Sequence, residues 1–172
     1  MRQELQYIRL FMKNKKVIFT VVYSVLIILL YIVIFALSAQ DGDTSGGLSM
    51  KISGKCTEIL ESLSGEEWDS SKEAEVAQGI ELPLRKMAHF TEYACMGVLV
   101  YLLLSLWISK RKALYVIPIV WVFISAALDE FHQSFVPGRY AGFSDVCIDT
   151  LGGIAGLIFI IWSSKIFQRK HS

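Results

Sequence analysis

Four apolar stretches separated by polar segments dominate the pattern of this chain. Residues 17–37 carry no charge, and residues 87–108, 113–133 and 145–164 each carry ionisable side chains near one end only. About 20 predominantly apolar residues suffice to cross a bilayer as an α-helix. The pattern therefore predicts an all-α membrane protein with four transmembrane helices, which form a single domain over residues 1–172.

Composition supports this interpretation. Hydrophobic residues make up 53% of the chain, charged residues make up 19%, and the mean hydropathy is +0.47, which is high for a soluble domain. The alternative for the first stretch is a cleaved signal peptide, because basic residues precede it and small residues follow it. Signal peptides have apolar regions of only about 7 to 15 residues, so the longer stretch favours a membrane span.

The distribution of basic residues predicts the orientation. Eleven of the 17 Lys and Arg residues lie in the N-terminal tail, in residues 110–112 and in the C-terminal tail. The positive-inside rule places these segments in the cytoplasm of a multi-pass protein of the cell membrane. Residues 38–86 and 136–144 are then expected outside, so the polar ends of the second, third and fourth spans meet at the outer leaflet.

The predicted extracytoplasmic loop, residues 38–86, is acidic and helical. Between residues 41 and 81 it contains ten acidic residues and three basic ones. Apolar side chains at steps of three and four predict a helix that ends near Gly65. These side chains are Leu48, Ile52, Cys56, Ile59 and Leu63.

A second, short helix is predicted over residues 72–78 of this loop. Ser70 and Glu73 have the spacing of a capping box, and Gly79 would close the helix. The two helices either pack on each other in solvent, or one of them lies on the outer surface over the polar ends.

The second span begins with a polar helix face. At about 100° per residue, Lys86, His89 and Tyr93 share one sector, which Glu92 borders. An imidazole with such neighbours favours a functional site. The alternatives are a structural His89 and a Lys86 that extends to the lipid headgroups.

The third span ends in a cluster of ionisable groups. Asp129 and Gln133 are four residues apart and Glu130 lies beside them. Arg139 can fold back toward them through the turn at residues 137–138. The cluster is either a binding site or a structural network in which Arg139 pairs with a carboxylate.

The fourth span repeats this arrangement with glycines. Asp145, Asp149, Gly152 and Gly156 recur at steps of four, three and four, and therefore lie on one stripe. The two glycines let a neighbouring helix approach closely. The acidic end is then held against another helix, where a shared cation or a basic partner such as His89 would stabilise the carboxylates.

Several kinds of chemistry are not indicated. The chain has no Gly-rich phosphate loop, and no nucleophilic Ser or Cys stands beside a base in these segments. The three cysteines lack zinc-ligand spacing, and Cys95 and Cys147 are expected to pack as small apolar residues within their spans. The cofactor is unknown, and a metal site from His89 with Asp or Glu stays open.

Three segments together resemble the VanZ-like family of small bacterial membrane proteins. They are residues 85–97 (RKMAHFTEYACMG), 129–139 (DEFHQSFVPGR) and 144–156 (SDVCIDTLGGIAG), and FALSAQ at residues 35–40 resembles the segment after the family's first span. The resemblance implies four membrane helices with these polar residues at family positions. It also implies a bacterial cell-envelope protein linked to antibiotic resistance, at a low level against teicoplanin.

The predicted site is compatible with two main alternative functions. The favoured one is recognition of an anionic envelope lipid, peptidoglycan precursor or glycopeptide, with a membrane lipid or lipid-linked precursor as partner, no nucleic acid, and an oligomer left open. Its ligand contacts would be Lys86, Tyr93, Gln133, Arg139 and Asp149. The alternative is an enzyme acting on an envelope lipid, with acid/base or cation-binding roles for His89, Glu92, Asp129, Glu130 and Asp145. A transporter is a weaker third option.

Overall fold

The chain folds into five α-helices in the computed structural model, which describes residues 2–39, 42–137 and 142–170. The helices are α1 (Arg2–Ser38), α2 (Gly42–Ser64), α3 (Ser70–Ser105), α4 (Arg111–Gln133) and α5 (Phe143–Lys170). All except α2 are long and apolar enough to cross a membrane. The predicted all-α architecture with four spanning helices is therefore confirmed.

The spanning helices pack around α3, which contacts each of the other four helices. Their buried core includes Ile34 of α1, Met96 and Val100 of α3, and Val122 and Ala126 of α4. Most other large apolar side chains are exposed on the outer surface of the bundle. This exposure carries no hydrophobic penalty in a membrane, because lipid tails are as apolar as these side chains.

Two of the cysteines are placed differently from the prediction. Cys95 and Cys147 are exposed on the bundle surface rather than packed inside it. The expectation of internal packing is therefore wrong for both. A small apolar thiol has no preference for the protein core when the alternative surroundings are hydrocarbon.

Glycines bring α3 and α5 into close contact. A Cβ atom on Gly152 would clash with the backbone carbonyl of Phe90, and one on Gly156 would clash with that of Ala94. These are the close approaches that the spacing of the two glycines predicts. The polar start of α5 is consequently fixed against α3.

The loop between the first two spans contains α2 and the first part of α3. Gly65 ends α2 with φ of 69°, a left-handed conformation that glycine adopts without steric cost. This end agrees with the prediction. However, α2 packs on α3 through a small polar face, in which Ser53 and Thr57 are buried. Three members of the predicted apolar stripe, Ile52, Ile59 and Leu63, are exposed instead.

The prediction of a separate short helix closed by Gly79 is wrong. The side chain of Asp69, and not that of Ser70, caps α3 by accepting a hydrogen bond from the N–H of Lys72 at 2.7 Å. The helix then continues through Gly79 and Pro83 to Ser105. Packing of α2 along this part of α3 offsets the helix penalties of the glycine, about 1 kcal/mol, and of the interior proline, about 3 kcal/mol.

One end of the bundle gathers polar contacts from four helices. Ser38 at the end of α1 reaches Asp129 and Gln133 at the end of α4, and Lys86 of α3 pairs with Asp145 at the start of α5. The polar ends of the second, third and fourth spans therefore lie on one side of the bundle, which we call the polar end.

The opposite end carries the basic part of α1. Trp107, just after α3, donates a hydrogen bond from Nε1 to the hydroxyl of Thr20 at 3.0 Å. The Nζ of Lys16 lies 4.1 Å from the centroid of the same indole ring. Since basic residues mark the cytoplasmic side of a span, the polar end is expected to face outward.

Cysteine labelling tests this orientation. In a chain with all three native cysteines replaced by Ala, we expect Glu67→Cys to react with a membrane-impermeant maleimide in intact cells, because Glu67 is exposed beyond the polar end. Lys112→Cys, exposed near the opposite end, is the matched control and should react only after lysis. The reverse labelling pattern would overturn the orientation.

Candidate functional site

A small polar cavity lies between α3, α4 and α5 at the polar end. Its volume is about 40 Å³, which is room for about three water molecules. Such a volume suits one small polar group rather than a whole sugar or peptide. The lining residues are Leu82, Arg85, Lys86, His89, Glu130, Gln133, Asp145, Ile148 and Asp149.

Helix α3 contributes the basic side of the cavity. The Nζ of Lys86 forms an ion pair with Oδ1 of Asp145, and both side chains are about one-third exposed. Arg85 is one turn from Glu81, with Nη1 and Oε1 4.0 Å apart. This separation is at the limit of an ion pair, so the guanidinium can also serve an incoming group. The position of both cations along one helix follows from their adjacency in sequence.

The imidazole of His89 is mostly buried at the polar cavity. His89 lines the cavity, and its Nδ1 is 3.5 Å from Oε2 of Glu92, one turn further along α3. Glu92 does not line the cavity. It lies instead in the wall of an apolar groove between α1, α2 and α3.

This apolar groove is much larger than the cavity, at about 440 Å³. Its lining is almost entirely hydrocarbon and comes from the surface expected to face lipid. The lining residues are Leu30, Ile52, Leu84, Met87, Ala88, Thr91, Glu92 and Cys95. His89 of the polar cavity and Glu92 of the apolar groove are therefore neighbours on α3.

The carboxylates of α4 and α5 form the acidic side of the cavity. Glu130 is 7% exposed, and its Oε2 accepts a hydrogen bond from the backbone N–H of Gly142 at 2.8 Å. This bond ties the end of α4 to the residue before α5. Asp149 is only 3% exposed, one turn into α5 from Asp145, and it also lines the cavity.

A buried network connects α1 to the same site. Asp129 is fully buried, and its Oδ2 accepts hydrogen bonds from Oγ of Ser38 at 2.8 Å and from Nε2 of Gln133 at 2.9 Å. Nε2 of Gln133 also donates to Oγ of Ser38 at 3.1 Å. Asp129 does not line the cavity, but it fixes the side chain of Gln133, which does.

Polar contacts continue deeper into the bundle. Tyr93 is buried, and its hydroxyl donates to the backbone carbonyl of Ser125 at 3.4 Å. The Ser125 hydroxyl also shares a hydrogen bond with Tyr31, which in turn accepts one from Nε1 of Trp121 at 2.9 Å. Tyr93 therefore holds α3 against α4 and does not line the cavity, although it was predicted as a ligand contact.

The structure brings six of the predicted site residues to one cavity and leaves others outside it. The six are Lys86, His89, Glu130, Gln133, Asp145 and Asp149. Glu92, Tyr93 and Asp129 lie around the cavity in the positions given above. Arg139 lies outside the described residues. The five residues of the enzyme hypothesis are consequently not gathered around one point, since only His89, Glu130 and Asp145 line the cavity.

Sequence reasoning missed the contribution of α1. Ser38 is fully buried and completes the network of Asp129 and Gln133. A single Ser at the end of an apolar run has no periodic partner on its own helix, so hydrophobic periodicity gives no sign of its contact. The only indication was the resemblance of residues 35–40 to a family segment.

The donor set does not form an evident metal centre. Within residues 2–39, 42–137 and 142–170, no group of three or more His, Cys, Asp or Glu side chains is arranged to hold a metal ion. Lys86 instead supplies positive charge to Asp145. These side chains line a small cavity of mixed charge.

These features define a multi-pass α-helical membrane protein with a polar site where its spanning helices end. Residues 16–167 match the model of the VanZ/LLP1 family, so the chain belongs to this family. No curated protein and no solved structure shows significant similarity to it.

Proposed function

We propose that this VanZ-family protein binds the anionic headgroup of an envelope lipid or lipid-linked peptidoglycan precursor at the outer leaflet. One observation carries the proposal: His89, which lines the small polar cavity, lies beside Glu92, which lines the large apolar groove, with Nδ1 and Oε2 3.5 Å apart. A lipid has the same two parts, a polar headgroup and a hydrocarbon chain. A ligand without a hydrocarbon chain would make no contact with the apolar groove.

The charges around the cavity support a headgroup of mixed character. Arg85 and Lys86 can contact a phosphate, which guanidinium and ammonium groups bind through charge-assisted hydrogen bonds. Three carboxylates also line the cavity, those of Glu130, Asp149 and Asp145, and the last of these is paired with Lys86. A purely anionic group would be repelled there. The ligand that fits best carries a phosphate together with groups that donate hydrogen bonds.

The groove supports binding from within the membrane. Leu84, Met87 and Ile52 lie in its wall, and Leu30 of α1 lines it from the other side. A chain lying there would bring its headgroup to His89 without leaving the bilayer. The outer-leaflet location depends on the orientation predicted by the basic residues, and the link to low-level teicoplanin resistance depends on the family resemblance.

Lipid binding by variants tests this proposal. We expect His89→Ala to weaken binding of phosphatidylglycerol by about tenfold, the equivalent of one lost hydrogen bond. Thermal stability in detergent should change little, because His89 lines a cavity rather than the core. The measurement is native mass spectrometry with defined lipids, together with teicoplanin susceptibility of cells that lack the native protein. Ser134→Ala, an exposed change nearby, is the matched control.

Arg139→Ala extends the same test to the predicted ligand contact outside the described residues. A ligand role predicts weaker binding of anionic lipid in a protein of unchanged stability. An ion-pair role predicts lower stability, because a carboxylate loses its partner. If stability falls in proportion to the loss of phenotype in both His89→Ala and Arg139→Ala, the binding proposal is wrong.

A further inference from the structure

The amide of Gln133 has only one orientation available to it. Its Nε2 donates to Oδ2 of Asp129 at 2.9 Å and to Oγ of Ser38 at 3.1 Å. The hydroxyl of Ser38 donates its own proton to the same carboxylate at 2.8 Å. Because Oδ2 of Asp129 acts as an acceptor here, it faces the NH₂ side of the amide.

Both N–H donors of Gln133 are therefore used inside the protein, and its carbonyl Oε1 is the group left for the cavity. Gln133 is 7% exposed and lines that cavity. Among the described residues, no group donates a hydrogen bond to this oxygen. Gln133 thus presents an acceptor, and never a donor, to whatever occupies the cavity.

Asp149 adds a second acceptor in the same place. Asp149 is only 3% exposed, and it lines the cavity one turn further along α5 than Asp145. The carboxylate of Asp145 forms an ion pair with the ammonium group of Lys86. Asp149 has no hydrogen bond or ion pair to any residue in the described part of the chain. A buried carboxylate without a donor is costly, so a ligand that brings a hydrogen-bond donor to Asp149 would stabilise the site.

We infer that the cavity selects headgroups that carry hydrogen-bond donors, hydroxyl or ammonium groups, and that Gln133 and Asp149 determine this specificity. This inference rests on the proposed lipid-binding function and names the part of the headgroup that enters the cavity. The phosphate stays at the mouth, near Arg85 and Lys86, and the donor group points inward. A cavity of about 40 Å³ has room for such a group.

A comparison of four headgroups with identical acyl chains tests charge and donors separately. Phosphatidylglycerol is anionic and has hydroxyl donors, whereas phosphatidylmethanol is anionic and has none. Phosphatidylethanolamine is zwitterionic and has ammonium donors, whereas phosphatidylcholine is zwitterionic and has none. Native mass spectrometry of the purified protein with equimolar pairs measures each preference. We expect the donor-bearing lipid of each pair to bind about tenfold more than its partner.

Two variants assign the preference to the named residues. Gln133→Met removes the acceptor at similar size, and Asp149→Asn removes the charge and keeps the shape. Each should reduce the donor preference severalfold, while Ser134→Ala leaves it unchanged. If Gln133→Met disturbs folding because Asp129 loses a donor, Asp149→Asn still decides the question.

The outcomes separate this inference from the function on which it rests. Equal binding of phosphatidylglycerol and phosphatidylmethanol, both above phosphatidylcholine, would overturn the donor inference and leave anionic lipid binding in place. Preference for phosphatidylethanolamine over phosphatidylcholine without any preference for anionic lipid would support the donor inference and contradict the anionic headgroup. Equal binding of all four lipids would overturn both.

Discussion

Gly152→Ala should destabilise this protein by about 3 kcal/mol, within the range for overpacking a tight contact. The added Cβ would overlap the backbone carbonyl of Phe90 on α3. A backbone atom cannot be moved by a change of rotamer, so α3 and α5 would have to separate. Because α5 holds Asp145 and Asp149 against α3, the proposed lipid binding should fall with stability. Thermal unfolding in detergent measures the effect.

Gly79→Ala is the matched control, because it makes the same substitution inside α3 where a Cβ atom would meet open space. Alanine has the higher helix propensity, so this variant should be more stable by up to about 1 kcal/mol. Opposite signs at the two positions would show that the effect comes from helix contact. Equal stability of the two variants would contradict close packing at Gly152.

Asp129→Ala should destabilise the protein by about 3 kcal/mol, for a different reason. The substitution removes the acceptor of Ser38 and Gln133, both of which are buried. Each donor left without a partner costs about 1 to 3 kcal/mol. Asp129→Asn should cost less than half as much, because its side chain keeps one acceptor oxygen at the same position. Unfolding temperatures of the two variants give the comparison.

A double-mutant cycle identifies the network as the source of this cost. In a Ser38→Ala background one donor is already absent, so Asp129→Ala should cost less than it does in the wild type. Purely additive effects would show that Ser38 and Asp129 act separately. Ser134→Ala, whose hydroxyl contacts only the Phe131 carbonyl at the surface, should have no effect. An Asp129→Ala protein as stable as this control would contradict the network.

Hydrophobic pattern and charge were enough to predict the architecture. A span needs about 20 apolar residues, which leaves few alternatives for a chain with four such stretches. Consecutive spans cross the membrane in opposite directions, so the end of one span lies on the same side as the start of the next. The meeting of the polar ends of α3, α4 and α5 at one cavity follows from this alternation. The close packing at Gly152 and Gly156 was also predictable from the sequence, because small residues four apart lie on one helix face.

The sequence did not determine which neighbour each side chain meets. Periodicity fixes the angle between two residues around their own helix axis, but the rotation of that helix depends on the helices beside it. Lys86, His89 and Tyr93 share one sector of α3. Nevertheless Lys86 and His89 line the cavity, while Tyr93 is buried against Ser125.

Contacts between distant segments decided the remaining features. The continuation of α3 through Gly79 and Pro83 depends on α2, which packs beside it with Ser53 and Thr57 buried. The place of Ser38 in the site depends on α4, which is 91 residues away along the chain at Asp129. The sequence by itself therefore determined the spans, their order and the end at which the chemistry collects, because these follow from local hydrophobicity and alternation. Only the tertiary structure decided which polar groups face the cavity, because that depends on helix rotation and on donors and acceptors far apart in the chain.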